Sequence, residues 1–309
     1  MFNVLTLNNI SEKGLVRFDK AAFNVSDALP QPDAILLRSY KLTPDHATEG
    51  LLAVGRAGAG VNNIPVDAYT DRGIVVFNTP GANANAVKEL VVAGMLLSRR
   101  GIVQGIDYVS GLSEVTDKAA LNTQVEASKK AFKGSELKGR TLGVLGLGAI
   151  GSMVADIALQ LDMKVLGFDP ALSVESAWRL SSRVQKMDSI EALFARSDLV
   201  TLHVPALPET EKMVNATLLA AMKPGSVLLN FARGEIVDTA AIKASLTNGQ
   251  LGQYISDFPV PELVNLPGVL ATPHLGASTD EAEDNCAIMA ADQLMDFLTN
   301  GNIKNSVNF

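Results

Sequence analysis

Three histidines in the sequence could carry protons in an acid–base reaction, because imidazole titrates near neutral pH. His46 lies in a polar segment and is predicted to be on the surface, whereas His203 lies in an apolar segment that favours a packed or cofactor-flanking role. His274 lies between a predicted strand end and a predicted helix. Catalytic groups favour such loops at the carboxyl edge of a parallel sheet. We therefore predict that His274 is the general acid–base group.

A cation and a carboxylate could assist His274. Arg233 follows an apolar predicted strand. A planar guanidinium suits two-point binding of a carboxylate, although a surface arginine after a strand is also common. Glu262 lies 12 residues before His274 and could orient the imidazole and raise its pKa. Such a set suits oxidation of a small hydroxy acid. In that reaction a base removes the hydroxyl proton while a hydride leaves the carbon that bears the hydroxyl group.

A glycine-rich turn predicts a dinucleotide site. Gly146, Gly148 and Gly151 have the spacing Gly-x-Gly-x-x-Gly and join an apolar predicted strand to an amphipathic predicted helix. This combination permits a tight turn, backbone approach to a pyrophosphate and close helix packing. Asp169 ends the next predicted strand, 23 residues after Gly146, where a carboxylate binds ribose hydroxyls and repels a 2′-phosphate. The predicted cofactor is therefore NAD, and Asp257 could receive its nicotinamide carboxamide.

Composition limits the class of protein. The chain has 309 residues, 47% of them hydrophobic, and a formal net charge of −7, which predicts a two-domain globular protein with little affinity for nucleic acid. Cys286 is the only cysteine, so no intrachain disulfide can form, and its apolar helical stripe predicts burial. The N-terminus lacks signal-peptide features and no apolar run is long enough to span a bilayer. We predict a cytoplasmic location, no membrane association and no metal site.

The alternation of apolar runs with helical segments predicts an α/β fold with two Rossmann-like domains, each built on a doubly wound, mostly parallel sheet. An NAD-binding domain is predicted at residues 99–277, and a discontinuous substrate-binding domain at residues 1–98 and 278–309. A final helix is predicted to begin at Ser278 as N-cap, with Glu281 completing a capping box. The predicted strands cover residues 3–7, 34–39, 52–57, 74–78, 141–146, 164–168, 199–204, 226–231, 252–256 and 269–272.

Several motifs, in their order along the chain, resemble those of the D-2-hydroxyacid dehydrogenases. They lie at residues 56–64, 78–81, 146–151 with Asp169, 207–210, 230–238 and 273–279. The resemblance covers essentially the whole chain and is greatest to the family members that oxidise 3-phosphoglycerate. It implies that Arg233, Glu262 and His274 form the catalytic set, with Glu262 paired to His274. It also implies a homodimer or homotetramer that pairs through the cofactor domain.

The resemblance and the strand-end positions together predict the remaining contacts. Main-chain amides in the glycine-spaced loop at residues 58–60 are implied to bind the substrate carboxylate, and Arg38 and Arg56 are predicted to hold a phosphate. The predicted substrate contacts are Arg38, Ser39, Arg56, Gly58, Ala59, Gly60, Asn78, Arg233 and His274. The predicted cofactor contacts are Gly146, Gly148, Ala149, Ile150, Gly151, Asp169, His203, Pro205, Thr210, Ala232, Asp257 and Gly276.

The implied reaction is NAD-dependent oxidation of 3-phospho-D-glycerate to 3-phosphohydroxypyruvate, a step of serine biosynthesis. An alternative is another D-2-hydroxyacid dehydrogenase, such as a glyoxylate/hydroxypyruvate reductase. A remote alternative is an NAD-sensing protein similar to the corepressors of this family. Three departures from the family pattern are expected to matter. Asn62 stands where aspartate is frequent, the segment between Glu262 and His274 is shortened, and the sequence stops at Phe309, where many family members that oxidise 3-phosphoglycerate continue into a regulatory domain.

Overall fold

The computed structural model of the chain describes residues 1–309, apart from the side chains of Glu175 and Arg179. The strands are β1 (Phe2–Leu7), β2 (Phe23–Ser26), β3 (Ala34–Leu37), β4 (Ala53–Arg56), β5 (Val75–Phe77), β6 (Thr141–Leu145), β7 (Lys164–Phe168), β8 (Gln185–Lys186), β9 (Leu199–Leu202), β10 (Ser226–Asn230), β11 (Leu251–Ser256) and β12 (Val269–Ala271). The helices are α1 (Glu12–Leu15), α2 (Val66–Thr70), α3 (Ala84–Arg99), α4 (Ile102–Ser110), α5 (Lys118–Ser128), α6 (Ala149–Gln160), α7 (Val174–Arg179), α8 (Ile190–Arg196), α9 (Ala216–Ala221), α10 (Thr239–Thr247) and α11 (Asp280–Asn300). Short 3₁₀ turns lie at Pro44–His46, Lys129–Phe132 and Gly234–Ile236.

The chain divides into two compact units. The terminal unit consists of residues 1–86 and 277–309, and the central unit of residues 87–276. The sequence predicts the first boundary at the end of α3, at residues 98/99, whereas the structure divides the chain near the start of this helix. The reason is packing, because Val87, Val91 and Met95 are buried in a core of the central unit.

The terminal unit is built on a parallel sheet with the strand order β2-β1-β3-β4-β5. Successive residues of a strand point to opposite faces, and both faces of this sheet are covered. Leu36 and Phe77 pack in one core with the alanine-rich face of α11. Ile35 and Val76 pack in the other core with Tyr69 of α2. Burial on both faces explains why these strands are uninterrupted apolar runs rather than alternating ones.

The last residues of the chain cover the β5 edge of this sheet. Phe77 forms an antiparallel bridge with Ser306, and the Val307 amide donates to the Val76 carbonyl at 2.9 Å. The Val76 amide in turn donates to the side-chain oxygen of Asn308 at 2.9 Å. The chain end thus takes up hydrogen-bonding groups that an edge strand would otherwise present to solvent.

The central unit is built on a larger parallel sheet, with the order β12-β11-β10-β9-β6-β7-β8. One face carries a core that includes residues of α3 and α6, and the other face carries a core that includes residues of α8, α9 and α10. Chain order reverses where β6 lies between β7 and β9. The carboxyl ends of strands at such a reversal are where doubly wound sheets bind ligands.

The two parallel sheets flanked by helices confirm the predicted α/β fold. Every predicted strand is present, and the prediction missed only the short edge strands β2 and β8. The predicted N-cap of α11 is wrong by one residue, since Thr279 rather than Ser278 accepts the Ala282 amide, at 3.1 Å. Cys286 is buried, as predicted. None of the described helices has the length and apolar character needed to cross a bilayer.

Candidate active site

The glycine turn after β6 has the shape that a dinucleotide needs. Gly146 has a φ of 87°, and a Cβ there would lie 2.6 Å from the His203 carbonyl oxygen. A Cβ on Gly151 would collide with the Gly146 carbonyl oxygen. A Cβ on Gly148 would meet nothing within 4 Å. Two glycines are therefore required by packing, while Gly148 opens onto free space at the N-terminus of α6, where main-chain amides of Ala149 and the residues after it can bind a pyrophosphate.

Asp169 follows β7 beside this turn. Its carboxylate accepts the Leu147 amide at 2.8 Å and the Ala171 amide at 2.9 Å, which fixes the orientation of the side chain. A carboxylate oxygen can accept two hydrogen bonds, so acceptor capacity remains for the ribose hydroxyls of NAD. Ile150, another predicted contact, lies half-buried in the first turn of α6.

His203 follows β9, the strand next to β6. The Leu145 carbonyl accepts its main-chain amide at 2.7 Å, and its Nε2 lies 2.9 Å from the Thr201 hydroxyl. Burial lowers the pKa of His203 from 6.5 to about 3, so the ring is neutral near pH 7. Its Nδ1 is buried and has no partner among the described residues. A neutral ring at this position suits a cofactor-flanking role and not proton transfer.

The loop after β10 carries Arg233. Asn230, buried at the end of the strand, donates from its side chain to the Arg233 carbonyl at 2.8 Å and accepts the Ala232 amide at 3.2 Å. The Arg233 guanidinium donates to the Ala232 carbonyl at 2.7 Å. Asn230 therefore positions the loop. The sequence did not predict this role, because Asn230 falls within an otherwise apolar predicted strand.

The loop after β12 carries His274 and is organised by Asp257. His274 is exposed and has a φ of 59°, a conformation that is uncommon outside glycine. The Asp257 carboxylate accepts the Thr272 hydroxyl at 2.6 Å and the amides of Leu275 and Gly276 at 2.7 Å each. These bonds occupy most of the carboxylate, so its clearest role is to fix the His274 loop. Its predicted contact with a nicotinamide stays a prediction.

Glu262 lies in an exposed turn after β11. In the described part of the chain, no hydrogen bond or ion pair joins Glu262 to His274. The imidazole instead packs against Phe258, with ring centroids 5.1 Å apart. The pairing of Glu262 with His274 therefore stays a prediction.

Two further predicted cofactor contacts lie in the loop after β9. The Thr210 hydroxyl donates to the Pro205 carbonyl at 2.7 Å and accepts the Leu207 amide at 2.8 Å. Both bonds close the loop on itself. The contribution of Thr210 that the structure reveals is therefore to loop shape.

In the terminal unit, the loop after β4 presents main-chain amides. The Gly58 amide donates to the Arg56 carbonyl at 2.9 Å, so it is already used, while no hydrogen bond involves the amides of Ala59 and Gly60 in the described chain. The Asn78 side chain donates to the Ala59 carbonyl at 2.6 Å. Asn78, which is predicted to contact the substrate, therefore stabilises this loop. The amides of Ala59 and Gly60 in the loop are open to an anion.

Arg38 and Arg56 lie at the carboxyl ends of neighbouring strands. Leu37 of β3 is in register with Arg56 of β4, and Arg56 Nε donates to the Arg38 carbonyl at 3.2 Å. The Arg56 guanidinium lies against the Cα of Gly58. The Arg38 guanidinium forms an ion pair of 2.6 Å with Glu283 of α11. The structure thus brings the two predicted arginines together but adds a carboxylate that the sequence did not suggest.

Three smaller results concern other predicted features. The Ser39 amide donates to the side-chain oxygen of Asn8 at 3.1 Å, which fixes the loop after β3. His46, predicted to be on the surface, is partly exposed. Its Nδ1 lies 2.9 Å from the Thr43 hydroxyl, within hydrogen-bond distance. The described residues contain no group of histidine, cysteine and acidic side chains able to hold a metal.

The central unit matches a known protein family. Residues 107–276 match the model of the NAD-binding domain of the D-isomer specific 2-hydroxyacid dehydrogenases. The chain therefore belongs to the D-isomer specific 2-hydroxyacid dehydrogenase family, a class of NAD-dependent oxidoreductases. This membership confirms the family resemblance and the predicted cofactor, NAD.

Within this family, the chain is similar to phosphoglycerate dehydrogenases. It is 36% identical to D-3-phosphoglycerate dehydrogenase of Synechocystis sp., over 100% of this chain and 56% of that protein. It is 32% identical to D-3-phosphoglycerate dehydrogenase 1 of Saccharomyces cerevisiae, over 99% of this chain and 69% of that protein. Its fold matches the NAD+-bound 3-phosphoglycerate dehydrogenase of Entamoeba histolytica with a TM-score of 0.80 and 28% identity, over 100% and 99% of the two chains. The chain spans about half the length of the Synechocystis relative.

Proposed function

We propose that the chain oxidises 3-phospho-D-glycerate to 3-phosphohydroxypyruvate with NAD. The observation that carries the proposal is the pair Arg38 and Arg56 at neighbouring strand ends, beside the open amides of Ala59 and Gly60. Cations next to an amide-lined anion site suit a small substrate with two anionic ends. The names of relatives 32% and 36% identical to this chain support the same substrate.

The proposed chemistry needs one proton acceptor and one carboxylate anchor. When bound at the turn of Gly146, Gly148 and Gly151, NAD would supply the acceptor for the hydride that leaves C2. His274 takes the proton of the C2 hydroxyl as the C–O bond becomes a carbonyl, and returns it in the reverse reaction. Arg233 binds the substrate carboxylate and polarises the 2-oxygen through its planar guanidinium. Glu262 pairs with the imidazolium and orients the His274 ring.

A substrate panel tests this proposal. Initial rates of NADH formation are measured with 3-phospho-D-glycerate, D-glycerate and D-lactate. We expect the highest kcat/KM for the phosphorylated acid. A higher kcat/KM for D-glycerate, or no turnover of the phosphorylated acid, contradicts the proposal.

One observation favours a second candidate, a reductase or dehydrogenase of an unphosphorylated 2-hydroxy acid. Arg38 is already paired with Glu283, which lowers the positive charge available to a phosphate. Hydroxypyruvate and glyoxylate reduction with NADH, measured in the same panel, distinguishes this candidate from the first.

We also infer that two copies of the chain pair through α4 and α5, which together we call the pairing surface. Within the described chain, no residue of either helix is buried. Ile102, Ile106 and Val109 form an apolar stripe on α4 with exposures of 40%, 59% and 54%. An exposed apolar stripe at helical spacing is typical of an interface. A second copy is the occupant that the resemblance to oligomeric family members favours.

Sedimentation velocity tests the pairing surface. The double variant Ile106→Asp/Val109→Asp is expected to sediment as a monomer where the unmodified chain is a dimer or larger. Val16→Asp is the matched control, because Val16 is 78% exposed and lies elsewhere, after α1. A monomeric unmodified chain, or an unaffected double variant, contradicts the inference.

A place in serine biosynthesis and a cytoplasmic location complete the proposed function. The place in serine biosynthesis depends on the proposed substrate. A strain that lacks its own phosphoglycerate-oxidising enzyme and carries this chain is expected to grow without serine, and failure to grow counts against the assignment.

A further inference from the structure

We propose that Glu283 is a specificity-determining residue that competes with the remote anionic group of the substrate for Arg38. This inference rests on the proposed function in one respect, since it assumes that Arg38 binds that group. Glu283 is then a counter-ion within the site, and it is expected to weaken the preference for a phosphorylated acid over an unphosphorylated one.

The geometry places Glu283 on the cation itself. Its Oε1 lies 2.6 Å from Nη1 of Arg38, and the two side chains are 41% and 32% exposed. Both groups are accessible to a ligand, and neither is locked in the core. The pair can therefore open without leaving a buried charge unpaired, which is the feature that makes buried pairs costly to break.

The first turn of α11 is acidic, yet only one of its carboxylates reaches Arg38. Asp284, the next residue, accepts bonds from Ser11 and from Lys13, at 2.5 and 2.6 Å. These bonds tie the start of α11 to α1. Glu281 lies on the same turn, and the described structure gives it no ion pair with Arg38. Glu283 is thus singled out by its place on the helix and not by the charge of the turn as a whole.

The charge balance gives the consequence. Arg38 supplies a positive charge at the end of β3, and the ion pair with Glu283 compensates that charge. A phosphate monoester carries a charge of about −1.5 to −2 near pH 7. To reach Arg38 it must displace Glu283 or share the guanidinium with it, at short range from a like charge. A remote hydroxyl meets no such repulsion.

The variant Glu283→Gln tests this competition, because it removes the charge and keeps nearly the same shape. We expect the ratio of kcat/KM for 3-phospho-D-glycerate to kcat/KM for D-glycerate to rise about 3- to 30-fold. Glu281→Gln makes the same charge change on the same turn and is expected to leave the ratio unchanged. In an Arg38→Ala background, Glu283→Gln should lose most of its effect, because the contested cation is gone.

The result that overturns the inference is a ratio that is unchanged or lower in Glu283→Gln. A lower ratio means that Glu283 orients Arg38 for the phosphate instead of competing with it. If the unmodified chain does not oxidise 3-phospho-D-glycerate, the proposed substrate fails separately. The competition is then tested with D-malate against D-lactate, which differ by a remote carboxylate. An unchanged malate-to-lactate ratio in Glu283→Gln overturns the inference in that case too.

Discussion

The main-chain amide of His274 donates a hydrogen bond to the carbonyl oxygen of Asp257 at 3.1 Å, while the carboxylate of Asp257 holds the two residues that follow the histidine. Asp257, at the end of β11, thus holds the His274 loop in place through both its backbone carbonyl and its side-chain carboxylate. A non-glycine residue in the left-handed region costs about 1–3 kcal/mol and persists only where surrounding interactions hold it there. The Asp257 bonds provide that support.

Asp257→Asn is expected to loosen this loop. The amide nitrogen of asparagine would face N–H donors that now bind a carboxylate, so the free energy of unfolding should fall by about 1–3 kcal/mol. Displacement of His274 should lower kcat by about 10- to 100-fold. Thermal unfolding and initial rates measure the two effects. Asp238→Ala is the control, because it removes the cap of α10, and should cost about 1 kcal/mol without a comparable loss of kcat.

His274→Ala is expected to lower kcat by about 10²- to 10⁴-fold, the usual contribution of general acid–base catalysis. NADH affinity, followed by fluorescence titration, should change little. Glu262→Gln should lower kcat less, because it removes only the proposed partner of the imidazole and leaves the imidazole itself in place. Near-normal turnover of His274→Ala would show that another group carries the proton.

Gly148→Ala and Gly151→Ala should separate cofactor binding from folding. A methyl group on Gly148 meets no protein atom, so the unfolding temperature should stay the same. It would, however, occupy the space of the pyrophosphate and raise the Kd for NADH by about tenfold or more. A methyl group on Gly151 strikes the Gly146 carbonyl, so this variant should lose about 1–3 kcal/mol of stability. Unchanged NADH affinity in Gly148→Ala contradicts the assigned binding mode.

Arg233→Lys keeps the charge but loses the planar fork. A hydrogen bond to a charged group contributes about 1.5–3 kcal/mol, so kcat/KM for the hydroxy acid should fall about 10- to 100-fold. The Kd for NADH should change little. A lysine variant with unchanged kcat/KM would indicate that Arg233 is structural.

His203 should make the protein sensitive to acid. Because burial lowers its pKa from 6.5 to about 3, the unfolded state binds more protons between these two values. Stability contributed by the neutral ring is therefore present above about pH 6.5 and is lost as the pH falls toward 3. His203→Asn should flatten the dependence of the unfolding temperature on pH between about pH 4 and 7. His46→Asn, which changes a partly exposed ring, should leave this dependence unchanged. Equal slopes of unfolding temperature against pH for the unmodified protein, His203→Asn and His46→Asn contradict the assignment.

The parts of the site that the sequence predicted are those set by local pattern. Apolar runs and glycine spacing predict where strands end, and the ends of parallel strands meet at one edge of a sheet. For this reason the turn at Gly146 and the loops of Arg233 and His274 could be identified before the fold was known.

The parts that the sequence did not predict are contacts between residues far apart in the chain. Glu283 reaches Arg38 only because α11 packs on the sheet that contains β3. The support from Asp257 depends on β11 and β12 lying side by side. Neither spacing nor residue type indicates such a contact, because each depends on which elements become neighbours in the folded sheet.

The antiparallel bridge between Phe77 and Ser306 has a consequence for association between molecules. An unpaired edge strand is a template onto which a strand of another chain can add. Here the chain supplies its own covering for β5, through Val307 and Asn308. These last residues therefore protect the β5 edge from pairing with other molecules. If they detached, the short and wholly apolar strand Val75–Phe77 would be exposed to neighbouring molecules.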